Sequence, residues 1–263
     1  KSVSGPGLNC YSCPAASGAC PIGAFQAVVG SSKFRFSYYI TGILILLGVL
    51  LGRFICGFLC PFGWLQELLH KIPGKKLSTK TLRPLTYLKY VILLLAVVLL
   101  PALIVNDVGM GDPYFCKYIC PQDELEGAIP RAAANESIRA ALGALCTRKL
   151  IILIAVVVLS VRFFRPFCKW SCPLGALYAL MNKVSLLGIQ VDTSKCVSCG
   201  KCARTCQMDV DITKSPTDTE CIRCGKSIRA CPTEAIRFRY GFGLSGNTNP
   251  KQVNDHQNQT AES

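Results

Sequence analysis

The sequence predicts a mainly α-helical fold, in which a transmembrane helical domain precedes a small α+β domain. Three apolar runs approach or exceed the roughly 20 residues that a helix needs to cross a bilayer. Two short runs of closely spaced cysteines then follow each other near the C-terminus. We predict an N-terminal segment, the helical domain, the C-terminal domain and a polar, disordered tail, at residues 1–36, 37–189, 190–240 and 241–263.

The composition favours a membrane protein. Hydrophobic residues make up 51% of the 263 residues and charged residues only 17%, with a mean hydropathy of +0.37. A soluble protein usually has about 25% charged residues. The net charge is +14, and the basic residues that produce it lie beside the apolar runs. No nucleic-acid recognition element accompanies them. We therefore expect membrane lipid, and not nucleic acid, as the partner of this charge.

The apolar runs predict three spans. They extend from Tyr38 to Leu59, from Leu85 to Val105, and around 150–161 with a start nearer Ile138. Pro101 should kink the second helix, because proline cannot donate the backbone hydrogen bond.

Loop charge predicts the orientation of these spans. The loop at 71–89 has six basic residues and no acidic residue, whereas the loop at 106–149 mixes both signs. Basic loops stay in the cytoplasm. We expect a multi-pass protein of the cytoplasmic membrane, with residues 190–240 inside and the N-terminal segment outside. Because the chain starts at Lys1 without Met, we also expect a further span before it.

The 17 cysteines indicate metal clusters. Their C-x2-C and C-x3-C-P spacings are typical of cluster ligands. A disulfide-rich secreted domain would be shorter and less apolar. Zinc is disfavoured, because His70 and His256 are the two histidines in the sequence.

An internal repeat places four of these cysteines in two equivalent turns. Residues 53–65 and 165–177 match at an offset of 112, and each contains Cys-x3-Cys-Pro-x-Gly at the end of a span. Such a turn places both cysteines on one face, and its proline can begin the next helix. We predict an inner [4Fe-4S] cluster bound by Cys56, Cys60, Cys168 and Cys172. The alternative is that these cysteines are small buried hydrophobes.

Two weaker copies of the turn lie on the opposite side, at residues 20–25 and 115–121, so the spans form a duplicated hairpin. Six cysteines are available there: Cys10, Cys13, Cys20, Cys116, Cys120 and Cys146. By the logic of the repeat, an outer cluster would use Cys13, Cys20, Cys116 and Cys120, with Cys10 as a close rival. The alternative is an outer surface stabilised by disulfides.

The C-terminal runs are specific for iron–sulfur clusters. Residues 196–206 read C-x2-C-x2-C-x3-C, and residues 221–232 repeat the pattern with Ser227 in the third position. In two-cluster ferredoxins the fourth cysteine of each run binds the other cluster. The first cluster would use Cys196, Cys199, Cys202 and Cys231, and the second Cys206, Cys221 and Cys224 beside Ser227.

Ser227 leaves three alternatives for the second site: a three-iron [3Fe-4S] cluster, an oxygen-ligated cubane or no cluster. Basic residues surround both runs. They form either a solvated face near an anionic leaflet or a docking patch for an acidic electron carrier.

The paired turns followed by the two-cluster segment resemble the NapH/MauN-type membrane ferredoxins, over roughly residues 37–240. Relatives include the membrane parts of NosR and of the CcoG/RdxA proteins. The resemblance implies an electron-transfer subunit that exchanges electrons with a quinone pool or a partner oxidoreductase. The chain differs from this family in its outer cysteines, in Ser227 and in lacking a first span.

The favoured hypothesis is a subunit of a membrane oxidoreductase complex that relays electrons from a cytoplasmic ferredoxin-like domain to the membrane interior and the outer face. The alternatives are a quinol-oxidising or metal-reducing enzyme, and a redox-sensing assembly factor. No catalytic residue is predicted, since the spans contain no paired carboxylates or histidines. Other subunits and a soluble redox carrier or quinone are the expected partners.

Overall fold

The computed structural model describes residues 20–30, 38–74, 76–104, 111–125 and 144–241. Cys10, Cys13, the side chain of Cys146 and the predicted polar tail from residue 242 lie outside these ranges. The chain is mainly helical, as predicted. The bounds of the four predicted divisions of the chain stay a prediction.

The described part of the helical domain consists of short helices, one helix of 19 residues and a continuous helical stretch at 82–103. The elements are α1 Pro21–Gly30, α2 Tyr38–Leu51, α3 Phe54–Phe58, α4 Pro61–His70, a 3₁₀ helix Lys80–Tyr87, α5 Leu88–Ile92, a π-helical segment Leu93–Leu99, α6 Leu100–Leu103, α7 Tyr114–Tyr118, α8 Pro121–Asp123, α9 Ala144–Arg162, α10 Pro166–Trp170 and α11 Pro173–Met181.

The first apolar run does not form one helix. α2 ends at Leu51, and the run continues through the separate helix α3. Gly52 makes the break with a φ of +57°, where a Cβ would lie 2.7 Å from side-chain atoms of Arg223 and Asn182. The 14 residues of α2 cover about 21 Å, which is less than the hydrocarbon core of about 30 Å.

The second run forms the longest stretch. Within the described residues, 82–103 is the one helical stretch that is long and apolar enough to cross a membrane. Pro101 does not interrupt it. The π-helical segment lies immediately before this proline, and wider turns of this kind accommodate a missing hydrogen bond.

The C-terminal domain has a two-stranded antiparallel sheet. β1 (Leu187–Val191) pairs with β2 (Ile236–Tyr240), so that the two strands bring together the ends of the cysteine-rich segment. Between them lie two helices that contact each other, α12 (Lys201–Thr205) and α13 (Lys226–Ala230).

The two cysteine runs repeat the same backbone. Gly200 and Gly225 precede the helices with φ of +67° and +74°, and Ser198 and Arg223 also have positive φ. Each pair is 25 residues apart, as are the cysteine motifs themselves. The C-terminal domain is therefore a duplicated ferredoxin-like unit, and Phe164 of the helical domain packs into its core.

Candidate iron–sulfur sites

The Cys-Pro turns of the helical domain have a common backbone conformation. Cys60, Cys120 and Cys172 are extended, with ψ of 112°, 113° and 112°, and proline follows each at the first helical position. A five-residue helix precedes each turn, and its third residue is the first cysteine of the motif: Cys56 in α3, Cys116 in α7 and Cys168 in α10. Proline suits this position because its missing N–H would have no helical partner.

The structure brings Cys56, Cys60, Cys168 and Cys172 together, and we call them the inner set. All four are buried, and each lies within electrostatic range of the other three. Among the described residues, no three Cys, His, Asp or Glu side chains are close enough to hold a single metal ion. A cubane cluster instead takes one thiolate per iron, so its ligands surround it at a distance. Four buried thiols from two facing turns fit this requirement.

Two arginines join the turns of the inner set crosswise. Arg165 donates to the carbonyl oxygens of Cys56 and Gly57, at 2.6 and 3.0 Å. Arg53 donates to the carbonyl oxygen of Cys168 at 3.4 Å. Both arginines occupy the same position of the repeat, three residues before the first cysteine. Each half of the helical domain therefore stabilises the turn of the other half.

Both arginines are almost fully buried, at 0% and 1% exposure, and each forms an ion pair. Arg165 pairs with Glu67 at 2.7 Å, and Arg53 pairs with Glu220 at 2.7 Å. A buried cation needs such a partner, because removal from water is costly. Sequence reasoning noted both arginines in the repeat but assigned them no role. The feature that could have indicated a role is the basic residue three positions before each Cys-x3-Cys motif.

Glu220 connects the two domains. It precedes Cys221 and forms ion pairs with both Arg53 and Lys89. Burial alone would raise the pKa of Glu220, but these two cations outweigh burial and lower it below its ordinary value. The carboxylate therefore stays charged and keeps the Cys221 run next to the inner set.

The outer cysteines are partly described, and Cys20, Cys116 and Cys120 are called the outer set. Cys20 and Cys120 are buried and interact electrostatically, while Cys116 is partly exposed. Cys20 and Cys120 belong to the same hydrophobic core as Cys56, Cys60 and Cys172. The fourth predicted ligand, Cys13, and its rival Cys10 lie outside the described residues.

The C-terminal domain also groups its cysteines. Cys221 lies within electrostatic range of Cys206 and Cys224, and Cys202 within range of Cys196. Burial raises the pKa of Cys221 to about 11, so binding to iron has to displace the thiol proton. Cys231 packs against the same core, and Cys199 is exposed at the surface.

Ser227 is buried beside this second group. It occupies the position in α13 that Cys202 occupies in α12, two residues after a glycine with positive φ. Cys206, Cys221 and Cys224 thus offer three thiols, with a hydroxyl in the fourth place.

Comparison with known proteins finds 4Fe-4S binding domains in this chain. The 4Fe-4S binding domain Fer4_5 matches residues 18–39, 36–80 and 148–190, which include three of the Cys-Pro turns. A second 4Fe-4S binding domain, Fer4, matches residues 189–210. No solved structure matches the chain.

Three relatives are informative. The uncharacterized protein MJ0750 of Methanocaldococcus jannaschii is 30% identical over 210 residues, covering 76% of this chain and 77% of MJ0750. The putative electron transport protein YccM of Escherichia coli is 25% identical, covering 65% of this chain and 45% of YccM. The regulatory protein NosR of Pseudomonas aeruginosa is 29% identical, covering 61% of this chain and 21% of NosR. The chain thus spans less than half of YccM and NosR, but most of MJ0750.

The chain belongs to the same protein family as MJ0750, and its sequence contains 4Fe-4S binding domains in both of its parts.

Proposed function

We propose that this chain is a NapH/MauN-type membrane electron-transfer subunit that relays electrons between the cytoplasmic ferredoxin-like domain and the outer membrane face. The observation that carries the proposal is the shared core of the inner and outer sets. Cys20 and Cys120 pack into one hydrophobic cluster with Cys56, Cys60 and Cys172. The likeness to a putative electron transport protein supports it.

The proposed cofactors are four iron–sulfur clusters, each of which supplies one-electron transfer when bound. The inner set holds one [4Fe-4S] cluster, and the outer set holds another with Cys13 or Cys10. The ferredoxin-like domain holds a [4Fe-4S] cluster on Cys196, Cys199, Cys202 and Cys231. Its second site takes a [3Fe-4S] cluster, because Ser227 replaces the fourth thiol.

Close packing supports electron transfer between the ferredoxin-like domain and the inner set. A Cβ on Gly57, beside Cys56, would lie 3.0 Å from the carbonyl oxygen of Ile222. Asn182 donates to the carbonyl oxygen of Cys221 at 3.2 Å and accepts from the N–H of Arg53, also at 3.2 Å. The Cys221 run and the inner turn are therefore almost in backbone contact.

One buried side chain supports transfer from the inner set to the outer set. Tyr178 is fully buried in α11. It lies within electrostatic range of Cys56, Cys60 and Cys172, and also of Cys20. The two sets therefore share a neighbour, and Tyr178 lies on the proposed route between them.

Exposed apolar side chains support three spans. Leu46 of α2, Leu94 of the π-helical segment and Ile151 of α9 are each more than half exposed. Such residues suit contact with lipid tails. We place the ferredoxin-like domain in the cytoplasm, next to the basic loop at 71–89.

The proposed electron donor is an acidic, soluble one-electron carrier. Cys199 is exposed, and the neighbouring Val197 is 65% exposed. Lys201 and Arg204 are exposed beside them, and Arg204 donates to the carbonyl oxygen of Cys199 at 2.9 Å. An apolar contact ringed by positive charge at a cluster edge suits a negatively charged partner.

No comparable observation favours a quinol-oxidising enzyme at His70. This histidine is buried, its Nδ1 lies 3.2 Å from the carbonyl oxygen of Ser160, and its ring packs edge-on against Phe164. It therefore offers a quinone no open contact.

The proposal is tested with the full chain in sealed vesicles that contain ferricyanide. Reduced ferredoxin is added outside, and each molecule that is oxidised should reduce one trapped ferricyanide. The variant Cys116→Ser/Cys120→Ser should abolish this transfer and lose about four irons per chain. Unchanged iron content and unchanged transfer in this variant would exclude the outer cluster and the transmembrane relay.

A further inference from the structure

We infer that Gln66 is a positioning residue that raises the reduction potential of the inner cluster by donating a hydrogen bond to the Cys168 sulfur. The inference rests on the proposed inner cluster. Gln66 is not a ligand of the cluster, and it lies outside the cysteine motifs.

The geometry fixes the orientation of the Gln66 amide. The side chain is 1% exposed, and its Nε2 lies 3.3 Å from Sγ of Cys168. Its Oε1 accepts a hydrogen bond from the backbone N–H of Phe167 at 3.2 Å. An N–H can donate only to the amide oxygen, so the amide NH₂ must face the sulfur.

The internal repeat contains two positions that are equivalent to Gln66. Gln66 follows Cys60 by six residues, and the equivalent positions after Cys20 and Cys172 are Gln26 and Tyr178. All three side chains are almost fully buried. Gln66 of the first half contacts a cysteine of the second half, and Tyr178 of the second half lies near Cys56 and Cys60 of the first. The inner set is therefore flanked on both sides by polar groups from the opposite half.

The outer copy differs in its contact. Gln26 donates to the carbonyl oxygen of Ala96 at 3.0 Å. Gln26 and Gln66 are thus equally buried and equivalent in the repeat, and both amides donate to a backbone carbonyl, since Nε2 of Gln66 also lies 3.4 Å from the oxygen of Phe62. The difference is that the Gln66 amide donates in addition to a cysteine sulfur. This makes Gln26 a matched control for Gln66.

Hydrogen bonds to ligand sulfurs are one of the means by which proteins set cluster potentials. An N–H donor stabilises the additional negative charge of the reduced state more than it stabilises the oxidised state. Loss of the donor from Gln66 should therefore make the inner cluster harder to reduce.

The test is an EPR-monitored redox titration of the purified full chain. Gln66→Leu removes the donor, and Gln66→Met removes it with an unbranched side chain of similar length. In both variants the ratio of reduced to oxidised inner cluster at a fixed potential should fall roughly tenfold. Gln26→Leu should leave the inner signal at its wild-type midpoint.

The signal is assigned by its loss in Cys60→Ser/Cys172→Ser. If Gln66→Leu fails to retain iron, Gln66→Met, whose side chain is close to glutamine in size, provides the measurement. An unchanged midpoint in an iron-complete Gln66 variant would overturn this inference alone. A wild-type chain without any signal that depends on Cys60 and Cys172 would overturn the proposed inner cluster itself.

Discussion

The ferredoxin-like domain and the inner set collect cysteines by opposite means. The domain takes its seven cysteines and Ser227 from 36 consecutive residues, 196–231, and two backbone turns with positive φ present them. The inner set takes two cysteines from each of two turns that lie 112 residues apart. Long-range contacts through Arg53 and Arg165 hold these turns together. The local site relies on special backbone conformations, whereas the site between repeats relies in addition on buried charge.

The two regions also differ in their relation to water. Cys199 is exposed at the edge of the ferredoxin-like domain, whereas all four thiols of the inner set are buried. Buried thiolates need positive partners, and Arg53 and Arg165 provide them inside the protein. At the exposed site, water and surface lysines can stabilise the negative charge of the thiolates.

The largest expected effect is the loss of iron from the inner set while the ferredoxin-like domain keeps its clusters. Cys60→Ser/Cys172→Ser should lose about four irons per chain, because Cys56 and Cys168 alone leave two irons of the inner cluster without a thiolate. The clusters of the ferredoxin-like domain should keep their EPR signals. Iron analysis and EPR on the same sample measure both. Loss of the ferredoxin signals as well would show that the two regions do not assemble independently.

A large loss of stability is expected when the crosswise contact is broken. Arg53→Met leaves Glu220 with only Lys89 as a cation and removes the donor to Cys168. Breaking a buried ion pair typically costs about 3–5 kcal/mol. The control is Arg83→Met, since Arg83 is 71% exposed and pairs with Asp218 at 3.5 Å.

Such an exposed pair contributes about 0–1 kcal/mol. Thermal unfolding in detergent, followed by intrinsic fluorescence, should therefore rank Arg53→Met far below Arg83→Met. Equal stability of the two variants would mean that Arg53 does not hold the turns together.

A smaller effect is expected at the open face of the ferredoxin-like domain. Lys201→Glu should slow reduction by an acidic ferredoxin about tenfold at low ionic strength, because it reverses charge beside the exposed Cys199. Lys214→Glu, also exposed but in another loop, should change the rate little. Stopped-flow absorbance at increasing salt measures both rates. A salt-independent rate that is identical in the two variants would place the entry site elsewhere.

The smallest expected effect comes from replacing the side-chain oxygen of Ser227 with sulfur. Ser227→Cys supplies the fourth thiol of the second site and enlarges a buried side chain only slightly, because sulfur replaces oxygen. The chain should gain about one iron, and a three-iron EPR signal in the oxidised state should disappear. Iron content and spectra that stay at their wild-type values would argue against a three-iron cluster at this site.

The sequence predicted those features that depend on local spacing. The mainly helical fold and the 4Fe-4S character of the chain follow from the apolar runs and the cysteine motifs. The equivalence of the turns followed from the offset of 112, and the structure gives them one backbone conformation. The ligand assignments themselves stay predictions, and those for Cys10 and Cys13 concern residues outside the described ranges.

Other features depend on contacts that no local pattern contains. The break at Gly52 lies inside an apolar run and is set by Arg223 and Asn182, more than 100 residues away. Gln66 lies on an amphipathic helix, where a polar residue is normally assigned to the surface. Its contact with Cys168 becomes visible only when the two turns face each other.

The ion pair between Arg53 and Glu220 joins positions 167 residues apart in the chain. At a synthesis rate of about 5–20 residues per second, Arg53 precedes its counter-ion by roughly 10–30 s. During that interval the nascent chain carries an unneutralised guanidinium, and the later turn at 168–172 is still being made. All four cysteines of the inner set precede Glu220 in the chain. A chain released before Glu220 would therefore contain both cysteine turns but lack the carboxylate that neutralises Arg53.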